Sequence, residues 1–222
     1  MTSEIGRSVR DEMLHVAVNL LDHDGPDALQ TRKIASAAGT STMAVYTHFG
    51  GMRGLIAAVA DEGLRQFDAA LTVAPTEDPV ADLFRVGAAY RRYAIERPHM
   101  YRLMFGSTSA HGINAPAHNV LTLTVAEIEQ HYQSFAHVVR GVHRCMAAGR
   151  IAVGRADDDA TVVATAAQFW ALIHGFVMLE LAGYYGDDGS AIAPVLSAMT
   201  SNLLVALGDS PQQVAQSVKS VS

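Results

Sequence analysis

Thr42, Met43, Tyr46, Thr47 and His48 lie within seven residues, on a spacing that turns them toward one side of a short helical segment. Two hydroxyls, a phenol and an imidazole suit phosphate oxygens and base edges. Any two-helix corner with a polar outside would offer a similar face, so the chemistry depends on the elements that hold it.

Those elements are packed into Thr31 to Phe49, TRKIASAAGTSTMAVYTHF. Arg32 to Ala38 reads as a first helix, with Thr31 as a candidate N-cap. Gly39 follows, where a left-handed residue ends a helix without a Cβ penalty. Ser41 or Thr42 then starts a second helix that runs to Phe49. Ile34, Ala35 and Ala38 fall on one side of the first helix, and Val45 and Phe49 are one turn apart on the second, so the two can pack together. Helix, glycine turn and helix in under twenty residues is the layout of a helix-turn-helix, whose second helix enters the DNA major groove.

This stretch resembles the DNA-binding domain of the TetR (tetracycline repressor-like) transcriptional regulators. The family pattern T-x-x-I-A-x-x-A-G-x-S-x-x-x-x-Y-x-H-F is met here by Thr31, Ile34, Ala35, Ala38, Gly39, Ser41, Tyr46, His48 and Phe49. The likeness extends through Ala17, Leu20 and Gly25 upstream and Leu55 downstream, over roughly residues 7 to 60. It implies that Tyr46 and Thr31 meet phosphates, while Arg32, Thr42, Met43, Ala44, Thr47 and His48 face the groove. Relatives often carry a phosphate-contacting Lys three residues after the His-Phe pair. Met52 stands there instead, and Arg53 beside it is the candidate substitute.

Charge limits how such a domain would bind. The chain of 222 residues has a formal net charge of −6 and a pI near 5.9. Residues 1–60 carry Arg7, Arg10, Arg32, Lys33 and Arg53 against Glu4, Asp11, Glu12, Asp22, Asp24 and Asp27. With no basic surplus, binding must lean on a few placed cations, hydroxyls and helix N-termini. Hydrophobic residues make up 50% and charged ones 17% of the chain, which points to extra buried surface at a subunit interface. Cys145 is the sole cysteine, so no intrachain disulfide forms, consistent with a reducing cytoplasm. In an apolar helical stretch it reads as inert core rather than a redox sensor. The N-terminus shows no signal-peptide pattern.

Periodicity makes the chain all-α, and the resemblance implies an N-terminal three-helix helix-turn-helix domain followed by a C-terminal helical ligand-binding and dimerisation domain. Ser8 to about His23 is amphipathic and braces the helix-turn-helix. The expected division is a DNA-binding domain at 1–51, a connecting helix at 52–75, a helical domain at 76–208 and a flexible tail at 209–222. Asp78-Pro79 is a helix start signal. Helices are expected over 80–96, 98–105, 117–149, 160–184 and 192–207, with a loop at 106–116.

Val162 to Ala182 is almost wholly apolar and long enough to span a membrane. Gln168, His174 and Glu180 within it, and acidic flanks, favour a helix buried in protein. Phe169-Trp170 with His174-Gly175, preceded by Pro98, Tyr101, Met104 and Phe105, resembles a TetR subgroup with a Trp-His-Gly signature. That likeness implies a homodimer joined through the last two long helices, with Phe176, Leu179, Val195, Met199 and Leu203 as interface candidates. It also implies an effector pocket, for which Tyr90, Met100, Met104, Phe105, His131, Phe135, Trp170 and His174 are the candidates, since Met and aromatic side chains make adaptable walls. For any single one of them, plain core is the default reading.

Glu127 and His131 are one helical turn apart, but no second pair makes a metal site. No phosphate loop, nucleophile motif or cofactor fingerprint is present, so neither catalysis nor a cofactor is expected. Arg91, Arg92, Arg97 and Arg102 form a basic cluster, with a solvated face as the plain reading. The sequence therefore points to a cytoplasmic, dimeric, ligand-responsive repressor on a palindromic operator in double-stranded DNA, released by a small, largely apolar effector. The alternatives are an activator or co-repressor-dependent regulator, and a helical ligand-binding protein or enzyme without a regulatory role.

Overall fold

The computed structural model describes residues 8–105 and 119–221, and among them the chain is all-α with no strand. The expected loop at 106–116 and the N-terminal residues bearing on a signal peptide lie outside the described residues. The helices are α1 (Val9–Asp24), α2 (Thr31–Ala37), α3 (Thr42–Phe49), α4 (Met52–Leu71), α5 (Pro79–Glu96) and α6 (Pro98–Phe105), then α7 (Val125–His131), α8 (Gln133–Ala147), α9 (Asp159–Leu181), α10 (Ala198–Ala206) and α11 (Pro211–Lys219). They form two compact units, Met1–Gln66 with Glu96–Ala115, and Phe67–Ile95 with Pro116–Ser222.

In the first unit α1 starts at Ser8, whose hydroxyl accepts the Asp11 N–H at 3.1 Å. Its apolar stripe, Met13, Ala17 and Leu21, is fully buried with Ile34, Val45, Leu55 and Val59 from α2, α3 and α4. Each large side chain so placed contributes about 1.5–3 kcal/mol of transfer free energy. Helix α6 adds Met100, Leu103 and Met104 to this core. A Cβ at Gly63 would meet the Met100 sulfur at 2.5 Å, so a larger residue there would have to displace the Met100 and Met104 side chains of α6. Arg97 pairs with Asp22 of α1 across the same packing.

In the second unit α8 buries Phe135, Val138, Val139, Val142 and Cys145 on one stripe against α9. Asp78 caps α5 through Oδ1, which accepts the N–H groups of Val80 at 3.0 Å and Ala81 at 3.1 Å. Asp158 caps α9 in the same way. Asp82, on the first turn of α5, takes hydrogen bonds from Arg144 at 2.6 Å, Arg85 at 2.7 Å and the Thr76 N–H at 2.8 Å. Burial pushes the carboxyl groups of Asp78 and Asp82 up, but these bonds and the facing arginines outweigh it and hold both below the usual carboxylate range.

Four expectations are corrected. The single helix over 117–149 is instead two, because Tyr132 leaves helical geometry (φ −131, ψ 55) between α7 and α8. The last long helix opens as a π-helical turn, Ile192–Ser197, before α10. Thr31 is the first helical residue of α2 rather than its cap, which is Gln30. The tail after 208 is an ordered helix. Ser210 caps α11 by accepting the Gln213 N–H at 3.2 Å, and Val214 is buried. Ser217 donates to Asp78 at 2.7 Å, and Arg150 clasps the fully buried Asp209.

Candidate nucleic-acid interface and effector cavity

The outer face of α2 and α3 is built as the spacing requires. Val45 points into the core, so Thr42, Met43, Tyr46, Thr47 and His48 point out. Met43 is 68% and Tyr46 62% exposed, which has no packing explanation for side chains of that size. Ala44 and Thr31 are half-buried at the edge of this face, and Arg32 and Arg53 are exposed with no ion pair among the described residues. Lys33 is held by Asp24 at 2.6 Å, and Arg10 lies over the Phe49 ring at 5.2 Å. Among the described residues of α2, α3 and the start of α4, Arg32 and Arg53 are therefore the exposed cations without an ion pair. Thr47 donates its hydroxyl to the Met43 carbonyl at 3.2 Å, so toward a partner it acts as an acceptor.

The angle of α3 is fixed by two glycines. Gly39 is left-handed (φ 64) in the turn before it. At its far end a Cβ on Gly54 would overlap the carbonyl oxygen of Phe49, so the start of α4 approaches the end of α3 to a distance only glycine allows.

In the second unit a cavity of about 160 Å³ lies among α5, α8, α9, the π-helical turn and α10. Its walls are mainly Leu83, Val86, Val138, Phe169, Ile173 and Leu196. Tyr90, Arg91, Ser197 and Thr200 supply the polar groups. Arg91 is held by Glu180 in a two-pronged pair, Nε to Oε2 at 2.8 Å and Nη2 to Oε1 at 2.7 Å.

Of the eight pocket candidates, Tyr90 lines this cavity. Phe135 and Trp170 pack edge-on, with Trp170 also against Tyr90 and Phe67, in an aromatic cluster of the second unit. His174 takes part through a 3.1 Å hydrogen bond between Nδ1 and the Tyr90 hydroxyl, and burial lowers its pKa from the ordinary 6.5. Met100, Met104 and Phe105 belong to the other unit, where the two methionines fill the space over Gly63. His131 is exposed at the end of α7. The basic cluster is also dispersed: Arg91 pairs with Glu180 in one unit and Arg97 with Asp22 in the other. Cys145 is fully buried, and burial pushes its thiol up to about 12, which leaves almost no thiolate for redox chemistry.

Among the interface candidates, Leu179 and Met199 are exposed, Val195 and Leu203 half-buried. Phe176 is instead buried within its own chain, stacked on Tyr185 at 5.1 Å. Sequence reasoning missed the rest of the α9 outer face: Ala164, Gln168, Ala171 and Gly175 are exposed in line with Leu179. The 4-3-4-4 spacing of mostly small residues in an otherwise bulky helix was the signal that could have found them.

A family profile described as "Bacterial regulatory proteins, tetR family" matches residues 13–59, and one described as "Tetracyclin repressor-like, C-terminal domain" matches residues 83–203, more than half of the chain. An HTH-type transcriptional regulator of Mycobacterium tuberculosis is 26% identical over 201 residues, 80% of this chain and 72% of that protein. A protein of unknown function from Rhodococcus sp. RHA1 is 26% identical, with a TM-score of 0.69 over 94% of this chain and all of that one. A tetR-family transcriptional regulator from Streptomyces coelicolor shares the fold, with a TM-score of 0.60 and 18% identity over 100% of this chain and 90% of its own. With one profile over the helix-turn-helix and the other over more than half of the chain, the chain belongs to the TetR family of ligand-responsive, DNA-binding transcriptional regulators.

Proposed function

We propose that the chain works in the cytoplasm as a homodimeric repressor of a palindromic operator, released when a small, largely apolar effector enters the cavity beside Tyr90 and Arg91. The observation that carries this reading is the pairing of an exposed face, Thr42 to His48 with Arg32 and Arg53, with a separate apolar cavity in the helical unit. Tyr46, Thr31 and Arg53 hold phosphates. Thr42, Met43, Ala44, Thr47 and His48 lie along base edges, with Arg32 at the rim.

The apolar outer stripe of α9, Ala164 to Leu179, with Met199 of α10, supports a dimer. It leaves exposed much of a helix long and apolar enough to cross a membrane, a cost in water that a partner copy would remove. Two copies would present α3 to successive major grooves about 34–36 Å apart. Phe169-Trp170 and His174-Gly175, about one turn apart on α9, support placement in the subgroup with a Trp-His-Gly signature.

Helix α4 is continuous and belongs to the first unit up to Gln66 and to the second from Phe67, so it is the element through which the effector acts. Effector and DNA then weaken each other by one coupling free energy, typically about 1–3 kcal/mol. The test is selection of genomic fragments by the full-length protein, followed by a compound screen for release of the selected fragment. A two-fold symmetric site and at least one releasing compound are expected. Fragments without symmetry would overturn the dimeric reading, and absence of any releasing compound would overturn the effector reading.

A further inference from the structure

The effector's chemical class can be taken further from the cavity wall. Given the reading of this cavity as the effector site, we infer that the effector is an uncharged molecule about the size of a substituted benzene ring, carrying one hydroxyl or carbonyl group.

Size sets the first limit. About 160 Å³ is well below the roughly 300–1,000 Å³ of sites for drug-sized ligands, and close to the roughly 150 Å³ that admits benzene into an apolar cavity. Leu83, Val86, Val138, Phe169, Ile173 and Leu196 give that volume an apolar wall, which favours a hydrocarbon body.

Charge sets the second. Arg91 is the charged group on the wall, and it is already neutralised by Glu180, whose side chain is 3% exposed. An anion would have to compete with a buried carboxylate for the same guanidinium and lie near its negative charge. A cation would face the guanidinium itself. Neither gains enough to offset its desolvation in an apolar cavity. A neutral group meets no such penalty.

Polar complementarity sets the third. The Ser197 hydroxyl has no hydrogen bond among the described residues, and Nη1 of Arg91 is not used by Glu180. The Thr200 hydroxyl proton goes to the Leu196 carbonyl at 2.9 Å, leaving an acceptor. Two donors and an acceptor around an apolar space suit one neutral oxygen function.

Gly87 of α5 provides a direct means of testing the site. It lines the cavity, has no positive φ, and a Cβ there would have nothing within 4 Å. Gly87→Leu therefore fills the cavity from a helical position where replacing glycine is itself favourable. The experiment is isothermal titration calorimetry of the full-length protein, without DNA, with benzyl alcohol and with benzoate. Wild type is expected to bind benzyl alcohol at least 10-fold more tightly than benzoate, and Gly87→Leu to weaken benzyl alcohol at least 10-fold while keeping or raising Tm. In Glu180→Gln, where the guanidinium is unpaired, the preference should move toward benzoate by at least 10-fold.

Benzoate binding wild type as well as benzyl alcohol does would overturn the inference, as would benzyl alcohol binding that Gly87→Leu leaves unchanged, or no binding of benzyl alcohol at millimolar concentration. Should Glu180→Gln fail to fold, the wild-type and Gly87→Leu measurements still decide. Because binding is read without DNA, a charged or much larger compound that releases the operator sinks this inference alone. A protein that no compound releases sinks the effector reading on which it rests.

Discussion

His137 Nε2 lies 2.8 Å from a carboxylate oxygen of Asp68, and this bond ties α8 to the last turns of α4. On α8 the next residue, Val138, is a wall of the cavity. On α4 the chain runs back from Asp68 to the end of α3. A group in the cavity would therefore lie against Val138, next to the residue that holds α4.

Breaking this link should reduce coupling without touching either binding surface. In His137→Ala, operator affinity and effector affinity measured separately should each change less than about 3-fold. The factor by which effector weakens DNA binding should fall by about 0.5–2 kcal/mol, roughly 2- to 30-fold. Operator titrations with and without saturating effector measure it. Unchanged coupling would show that α4 is moved through other contacts.

Arg53, exposed beside the Met52 that stands at the family's lysine position, is the proposed phosphate contact. Arg53→Ala should weaken binding about equally on operator and random DNA and lower the salt slope by about 1 per subunit. Tyr46→Phe, which removes one hydroxyl from the exposed face, should weaken affinity with little change in that slope. A slope unaltered in Arg53→Ala would mean that Arg53 meets no phosphate.

Ala171 sits in the middle of the exposed α9 stripe, with Gly175 one turn on, where a Cβ would meet nothing in its own chain. Ala171→Arg should leave the helical fold intact, because the position faces outward, yet place an unpaired charge in the proposed interface. Breaking or burying charge in this way costs about 3–5 kcal/mol, enough to weaken association by more than 100-fold. Light scattering across a concentration series should show a monomer where wild type is a dimer. A dimer that survives would move the interface elsewhere.

How much was readable from sequence differs between the two units. The helix-turn-helix was legible because its register is set locally. Gly39 needs a left-handed turn, Val45 needs a core, and the polar residues of α3 take what is left. The cavity was not, because Met and aromatic residues are as useful in a core as in a pocket. Tyr90 and Met100 differ in which unit buries them, a long-range fact with no local signal. Tyr132 carries no breaker composition, so the split of α7 from α8 was invisible. The α11 start was legible and overlooked: Asp209-Ser210-Pro211 repeats the cap-then-proline signal of Asp78-Pro79, and polar composition masked it.

Asp82 is one of the carboxylates that tie the stability of the second unit to pH. Its side chain is 8% exposed and accepts from Arg144, Arg85 and Thr76, and its pKa is held below the ordinary value near 3.9 despite burial. A carboxyl with a lowered folded pKa contributes stability that is fully present above the unfolded value and is lost as pH falls through the folded one. Because both arginines are about one-third exposed, the bonds are partly screened, and Asp82→Asn should cost about 1–2 kcal/mol at pH 7. For a chain of this size that is a Tm lower by about 2–8 °C. The gap between wild type and variant should stay constant above about pH 5 and narrow as pH falls below about 4, as wild type protonates the group the variant lacks. Melting curves of both proteins from pH 3 to 8 measure it, and a gap that holds its width at pH 3 would mean that ionised Asp82 does not brace α5 against α8.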